Sequence, residues 1–194
     1  MINKLDDIEI KKVDLTTRTI YINGTINSDL IEESILAIRY INIYDDKQEE
    51  KLKEYKRQPI SIVIDTYGGS VYDGMGLVNC ISSSKTPVHT YCYSKGMSMG
   101  LLLFISGHKR FIHEHATLMF HQLSTVAMGT NQDVKEESVR ADKLNTQLMK
   151  IIKKRTNITQ KQIDNKNKRK QDWFITGKKA IKLGAADELI KDTI

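Results

Sequence analysis

Three short apolar stretches, each followed by a helical pattern, constrain the fold of this chain more than any other feature. All three are rich in β-branched or aromatic residues and are bounded by glycine, aspartate or serine; they cover residues 19–22, 60–64 and 88–93. Such stretches are typical of β-strands, and a repeated strand-then-helix order is typical of a mainly parallel sheet with helices packed against it. We therefore predict an α/β fold.

The length and composition fit a single domain over residues 1–194. The chain has 194 residues, of which 40% are hydrophobic and 28% charged, as in an ordinary globular protein. No apolar run approaches the roughly 20 residues that cross a bilayer, and the first residues do not resemble a secretory signal. Cys80 and Cys92 lack metal-ligand spacing. We predict free thiols, a cytoplasmic location, and no metal, cofactor or membrane contact.

The formal net charge of +6 comes largely from a basic run over residues 150–170, in which Asp164 is the one acidic residue. Neither interleaved aromatic residues nor a recognised nucleic-acid motif accompanies this run. The pattern therefore favours a solvated basic surface over a nucleic-acid site.

A long helix is predicted over Asn131–Arg155, within a region of about 123–170 that follows the last predicted strand. Its apolar residues lie on or near one stripe: Val134, Ala141, Leu144, Leu148, Ile151 and Ile152. The pattern fits a helix packed within its own chain as well as one that projects and pairs with a neighbouring subunit.

The segment Gly96-Met97-Ser98-Met99-Gly100 carries the most specific chemical signal. It matches the G-x-S-x-G nucleophile elbow and lies between a predicted strand and an apolar helix, as that motif requires. The helix N-terminus offers unpaired N–H groups to a developing oxyanion. A serine in this setting is often only a helix cap, so the motif alone does not establish catalysis.

A nucleophilic serine needs a base, and the candidate bases lie close to Ser98. The five histidines are His89, His108, His113, His115 and His121. No aspartate lies between Ser98 and His121 and no histidine follows it, which disfavours the Ser–acid–His order of α/β-hydrolases. His121 ends an apolar strand that could hold a base rigidly, so we predict the order Ser98, His121, then a later aspartate.

A second glycine turn follows the strand at residues 60–64 and reads Thr66-Tyr67-Gly68-Gly69-Ser70. Paired glycines let main-chain N–H groups face a ligand, although such a turn can also merely reverse the chain. Two strand–glycine–helix turns in one small domain favour a composite oxyanion site.

These motifs together resemble the proteolytic subunits of the Clp protease family, which have a crotonase-like fold. The resemblance runs from about residue 18 to the C-terminus. The motifs that carry it occur in the same order as in the family and at nearly the family's spacing. They are Tyr67 to Val71 with Gly74-Met75, Ser98-Met99-Gly100, Met119 to Gln122, Asp172 to Phe174, and the closing stretch Ala180 to Asp187.

By this resemblance, Ser98 is the nucleophile, His121 the general base and Asp172 the residue that orients the imidazole. Gly69 and Met99 would donate main-chain N–H groups to the oxyanion. The resemblance implies a ClpP-like spiral of strand–helix units with a projecting handle, and a serine endopeptidase that forms an acyl-enzyme. It further implies heptameric rings that enclose a chamber, peptide or unfolded protein substrates, and a Clp-type AAA+ ATPase as partner.

Several positions depart from the family pattern. Ser61 and Val63 replace aromatic residues of the ATPase docking pocket, and Lys170-Gln171 replaces an acidic–Arg pair used between rings. These differences weaken the expectation of an ATPase partner and of stacked rings.

Two other functions fit parts of the pattern. A noncatalytic ring subunit would keep the fold, but would have no need of Ser98, His121 and Asp172. A crotonase-superfamily acyl-CoA enzyme would share the fold and oxyanion arrangement, but does not need this triad.

Overall fold

The computed structural model describes residues 12–123, 128–168 and 171–191. The strands in these ranges are β1 (Val13–Asp14), β2 (Thr19–Ile26), β3 (Ile60–Gly69), β4 (Val88–Cys92), β5 (Lys95–Met97), β6 (Lys109–Ile112), β7 (Thr117–Phe120), β8 (Trp173–Thr176) and β9 (Glu188–Leu189). The helices are α1 (Ser28–Lys51), α2 (Val71–Ser83), α3 (Met99–Ser106), α4 (Asn131–Arg155), α5 (Gln160–Lys168) and α6 (Gly177–Lys182). None of the helices so described is long and apolar enough to cross a membrane.

The strands form a mixed sheet in which β3 is central. They pair in the order β8-β7-β5-β3-β4-β6-β9, while β2 pairs with β3 and β1 with β2. Within the described ranges, β1–β2 and β7–β8 are antiparallel and the other pairs parallel. The first part of β3 pairs with β4, whereas Thr66 near its end pairs with Gly96 of β5. The predicted α/β class with a mainly parallel sheet is therefore confirmed.

Helix α3 lies at the centre of the hydrophobic core. All of its residues are buried, and it contacts β3, α2, β5 and α4. Inward-facing isoleucines of β3, at residues 60, 62 and 64, are fully buried in the same core. A helix enclosed on several sides holds its N-terminus rigidly, and that end faces the candidate site.

The C-terminal part of α1 is fixed by a buried ionic cluster. Asp45 is fully buried, and it accepts hydrogen bonds from Arg18, Tyr55 and Thr86. Burial alone would raise the pKa of Asp45, but these three donors outweigh it and hold the pKa below its usual value of 3.8. One carboxylate thus connects α1 to the chain before β2, to the loop after α1 and to the chain before β4.

Helix α4 is buried at one end and exposed along most of its length. Leu148, Met149 and Ile152 are buried near its C-terminus, whereas Val134 near its N-terminus is 41% exposed. A capping box at Thr130 and Asp133 closes the exposed end. The C-terminal third of the helix therefore packs on the core and the remainder lies in solvent in the single chain, while its pairing with a neighbouring subunit stays a prediction.

Candidate active site

Ser98 occupies a strained turn between β5 and α3. Its backbone has φ of 53° and ψ of −120°, a region that costs a non-glycine residue roughly 1–3 kcal/mol. The residue is the N-cap of α3, but its side chain makes no capping hydrogen bond. Ser98 therefore does not serve as an ordinary helix cap, because its hydroxyl is left available for another partner.

That partner is His121, whose Nε2 lies 2.7 Å from Ser98 Oγ. The sheet explains the distance: β5 and β7 are parallel neighbours, and the Ser98 N–H donates to the Met119 carbonyl. Both side chains therefore emerge at the carboxyl ends of adjacent strands. Nε2 can accept the hydroxyl proton in the tautomer in which Nδ1 carries the ring proton.

The predicted glycine turn is instead the end of β3, where Gly68 and Gly69 pair with Thr25 and Ile26 of β2, and this strand end packs directly against Ser98. The two glycines have φ of 109° and 152°, and a Cβ at Gly68 would lie 2.8 Å from Ser98 Cβ. A Cβ at Gly69 would overlap the Ile26 carbonyl oxygen on β2. The absence of side chains therefore permits the main chain at the end of β3 to approach Ser98.

A small cavity of about 80 Å³ adjoins Ser98 and His121, and both predicted oxyanion residues, Gly69 and Met99, line it. Its other lining residues are apolar: Val71, Leu102, Phe120, Leu123, Leu148 and Met149. Sequence reasoning did not assign Leu148 or Met149 to the site, although both lie on or beside the apolar stripe of α4. The apolar stripe predicted which face of α4 is buried. It did not predict that this face lines the cavity beside Ser98.

Asp172 is placed near His121 but does not hold it. Both residues line a second, open cavity of about 240 Å³, together with Lys166, Asn167 and others. Asp172 is exposed, and among the described hydrogen bonds none joins it to His121. The structure thus brings Ser98 and His121 together and leaves a gap between His121 and Asp172.

Two further aspartates that follow His121, Asp164 and Asp187, are engaged elsewhere. Asp187 forms a bidentate pair with Arg110 that holds its pKa below the usual value. Asp164 accepts a hydrogen bond from Gln160 on the exposed face of α5. Asp172, by contrast, lines the second cavity together with His121.

The remaining histidines lie outside this site. His108 Nδ1 accepts a hydrogen bond from the Val88 N–H, and burial lowers the pKa of both His89 and His108. The rings of His113 and His115 lie 5.4 Å apart. In the ranges that the structure describes, no group of three or more His, Cys, Asp or Glu residues could hold a metal ion.

Neither cysteine is a competing nucleophile. Cys80 and Cys92 are free thiols. Burial raises the pKa of Cys92 to about 12 and also raises that of Cys80, so both remain protonated near neutral pH.

Comparison with known proteins identifies the family. The Clp protease family model matches residues 6–193. The chain belongs to the Clp protease family. It is 26% identical over 181 residues to the ATP-dependent Clp protease proteolytic subunit of Deinococcus radiodurans, an alignment that covers 92% of this chain and 83% of the relative. It is 28% identical over 178 residues to proteolytic subunit 2 of Synechococcus sp. (strain CC9605), covering 91% and 84%.

The family assignment confirms the resemblance seen in the motifs and agrees with the observed α/β fold of mixed sheet and helices. The names of the relatives support a peptidase of the Clp type.

Proposed function

We propose that this chain is a serine endopeptidase of the Clp type, with Ser98 as nucleophile, His121 as general base and Asp172 as the carboxylate that orients His121. The observation that carries the proposal is the 2.7 Å contact between Ser98 Oγ and His121 Nε2, on a serine whose backbone is strained and whose side chain does not cap its helix.

The proposed reaction proceeds through an acyl-enzyme. His121 Nε2 takes the hydroxyl proton as Ser98 Oγ attacks the peptide carbonyl, and the main-chain N–H groups of Gly69 and Met99 stabilise the oxyanion. His121 then gives the proton to the leaving amine. A water molecule, activated by the same imidazole, attacks the ester and releases Ser98. Asp172 must approach Nδ1 to stabilise the imidazolium, since the gap between them is open in the single chain.

We further propose that the chain acts in the cytoplasm as a homo-oligomer, as one or more heptameric rings that enclose the site and admit peptides or unfolded proteins. The exposed length of α4 supports assembly, because Val134 and Val139 on it are 41% and 53% exposed. An AAA+ ATPase partner is less well supported, since Ser61 and Val63 replace the aromatic residues of the docking pocket.

Covalent labelling with a fluorophosphonate tests the nucleophile. Wild-type protein should be labelled and Ser98→Ala should not, whereas the control Ser94→Ala, an exposed serine nearby, should label like wild type. The mass of the assembly and peptide hydrolysis should be measured on the same fraction. An assembled wild type that neither labels nor cleaves would instead identify a noncatalytic ring subunit, the alternative that the open gap at Asp172 favours.

A further inference from the structure

The small cavity beside Ser98 is placed to receive a side chain of a bound peptide. Ser98, His121 and the two proposed oxyanion residues, Gly69 and Met99, all line it. When Ser98 Oγ attacks a peptide carbonyl, the residue that carries this carbonyl, called the acyl residue, becomes bonded to the enzyme. Its Cβ lies only two bonds from the attacked carbon, so its side chain must lie close to the residues that line the cavity.

The walls of the cavity are apolar and come from the core. Leu102 of α3, Phe120 of β7 and Leu148 of α4 are buried and line it. Among the described residues that line it, His121 alone can carry a charge. A charged acyl side chain would lose its hydration there without a fixed opposite charge in the wall, which is costly. The cavity therefore favours apolar acyl side chains.

The size of the cavity limits which apolar side chain fits. Its volume is about 80 Å³. A protein cavity that holds benzene has a volume of about 150 Å³, so a phenyl ring needs more room than this cavity provides. Half of that volume corresponds to about three carbon atoms. Side chains packed in a core yield little to an oversized group, because overpacking forces them out of their preferred rotamers.

We propose that this cavity selects acyl residues with short, unbranched aliphatic side chains and disfavours aromatic ones, and that Leu148 is a specificity-determining residue. The inference rests on the proposed hydrolytic function, since attack by Ser98 defines the acyl residue. Leu148 is the wall residue best suited to a test, because α4 lies in solvent over most of its length and α3 lies at the centre of the core.

Competition between peptides that differ only in the acyl residue tests the selectivity. Alanine, norvaline, leucine and phenylalanine peptides are mixed, and the ratios of their kcat/KM values are measured in one reaction. Norvaline has three side-chain carbons and no branch at Cβ. It should exceed alanine by about tenfold or more, as added methylenes do in an apolar pocket. It should also exceed phenylalanine by at least about tenfold, because the ring overpacks the cavity.

The variant Leu148→Ala tests the assignment of the wall. It enlarges the cavity and should raise the phenylalanine-to-norvaline ratio at least about tenfold. The matched control is Leu144→Ala, one turn earlier on α4, where a half-buried leucine does not line the cavity; its ratio should equal that of wild type. Partial loss of folded enzyme cancels in each ratio. If Leu148→Ala does not fold, Val71→Ala at the half-buried start of α2 should shift the ratio in the same direction.

The outcomes separate this inference from the proposed function. If Ser98 is labelled by a fluorophosphonate but wild type cleaves the phenylalanine peptide as fast as the norvaline peptide, the hydrolytic function stands and the selectivity is wrong. An unchanged ratio in folded Leu148→Ala would also overturn the inference, because the cavity would then not hold the acyl side chain. An assembled wild type that is neither labelled nor cleaves any of the four peptides would overturn the hydrolytic function and this inference with it.

Discussion

Gly68 determines how closely the end of β3 approaches Ser98. A Cβ there would lie 2.8 Å from Ser98 Cβ and 2.9 Å from the Met97 carbonyl oxygen. Gly68→Ala should therefore displace Ser98 by a fraction of an ångström to an ångström and slow fluorophosphonate labelling by about 10²-fold, the usual cost of such a misplacement.

The control for this substitution is Gly24→Ala. Gly24 also has a positive φ, of 94°, but a Cβ there would have no atom within 4 Å. The Gly24→Ala variant should lose about 1 kcal/mol in the free energy of unfolding through backbone strain and should be labelled at the wild-type rate. Equal labelling by Gly68→Ala and wild type would show that the end of β3 does not position Ser98.

The residues of the site differ in how far sequence could place them. Ser98 and His121 were predictable because each directly follows a strand, and neighbouring parallel strands bring their carboxyl ends together. Asp172 follows α5, whose path over the body is set by tertiary packing rather than by a local pattern. Its choice over Asp164 and Asp187 therefore needed the family resemblance, and its role in the triad stays a prediction.

Among the elements, α1 depends on a single buried carboxylate. Asp45→Ala would leave Arg18, whose side chain is 16% exposed, without its bidentate partner, and would also deprive Tyr55 and Thr86 of their acceptor. We expect a loss of about 3 kcal/mol in the free energy of unfolding, measured by urea denaturation. The neighbouring Asp46→Ala breaks a pair that is 41% exposed on the carboxylate side, and should cost below about 1 kcal/mol. Similar losses in both variants would contradict the structural role of Asp45.

The same contact predicts a pH dependence. Hydrogen bonds from Arg18, Thr86 and Tyr55 outweigh burial and lower the pKa of Asp45 in the folded state below 3.8. Its stabilisation is therefore present above pH 3.8 and is lost as the pH falls through the lower folded pKa. The loss of stability over this acid range should be smaller in Asp45→Ala than in wild type.

Sequence patterns predicted the elements better than the contacts between them. Strand–helix order was sufficient for the α/β class because each apolar face must be covered by a neighbour. Burial of Asp45 was not predictable, since its partners Arg18 and Thr86 lie 27 and 41 residues away along the chain. Likewise, the apolar stripe in the sequence of α4 predicted that Leu148 is buried. It did not predict that Leu148 lines a cavity beside Ser98.

At the scale of the whole molecule, the apolar stripe of α4 runs out of the core into solvent. Leu148 and Ile152 are buried by their own chain, Ala141 and Leu144 are half-buried, and Val134 is exposed. The stripe is continuous and buried at one end, which indicates that a partner buries the other end. Removal of this exposed apolar surface from water would be favourable. A second copy of this chain is the partner that the proposed ring supplies.

Val134→Asp tests this assembly. The charge should weaken contacts between copies while the monomer stays folded, since Val134 lies outside the core. Gln132→Asp is the matched control: two residues away is about 200° around the helix, so the same charge falls on the opposite face. Sedimentation velocity should give a lower mass for Val134→Asp than for wild type and Gln132→Asp, with unchanged circular dichroism. If Val134→Asp assembles as wild type does, the exposed end of the stripe is not an interface, and the ring must form through other surfaces.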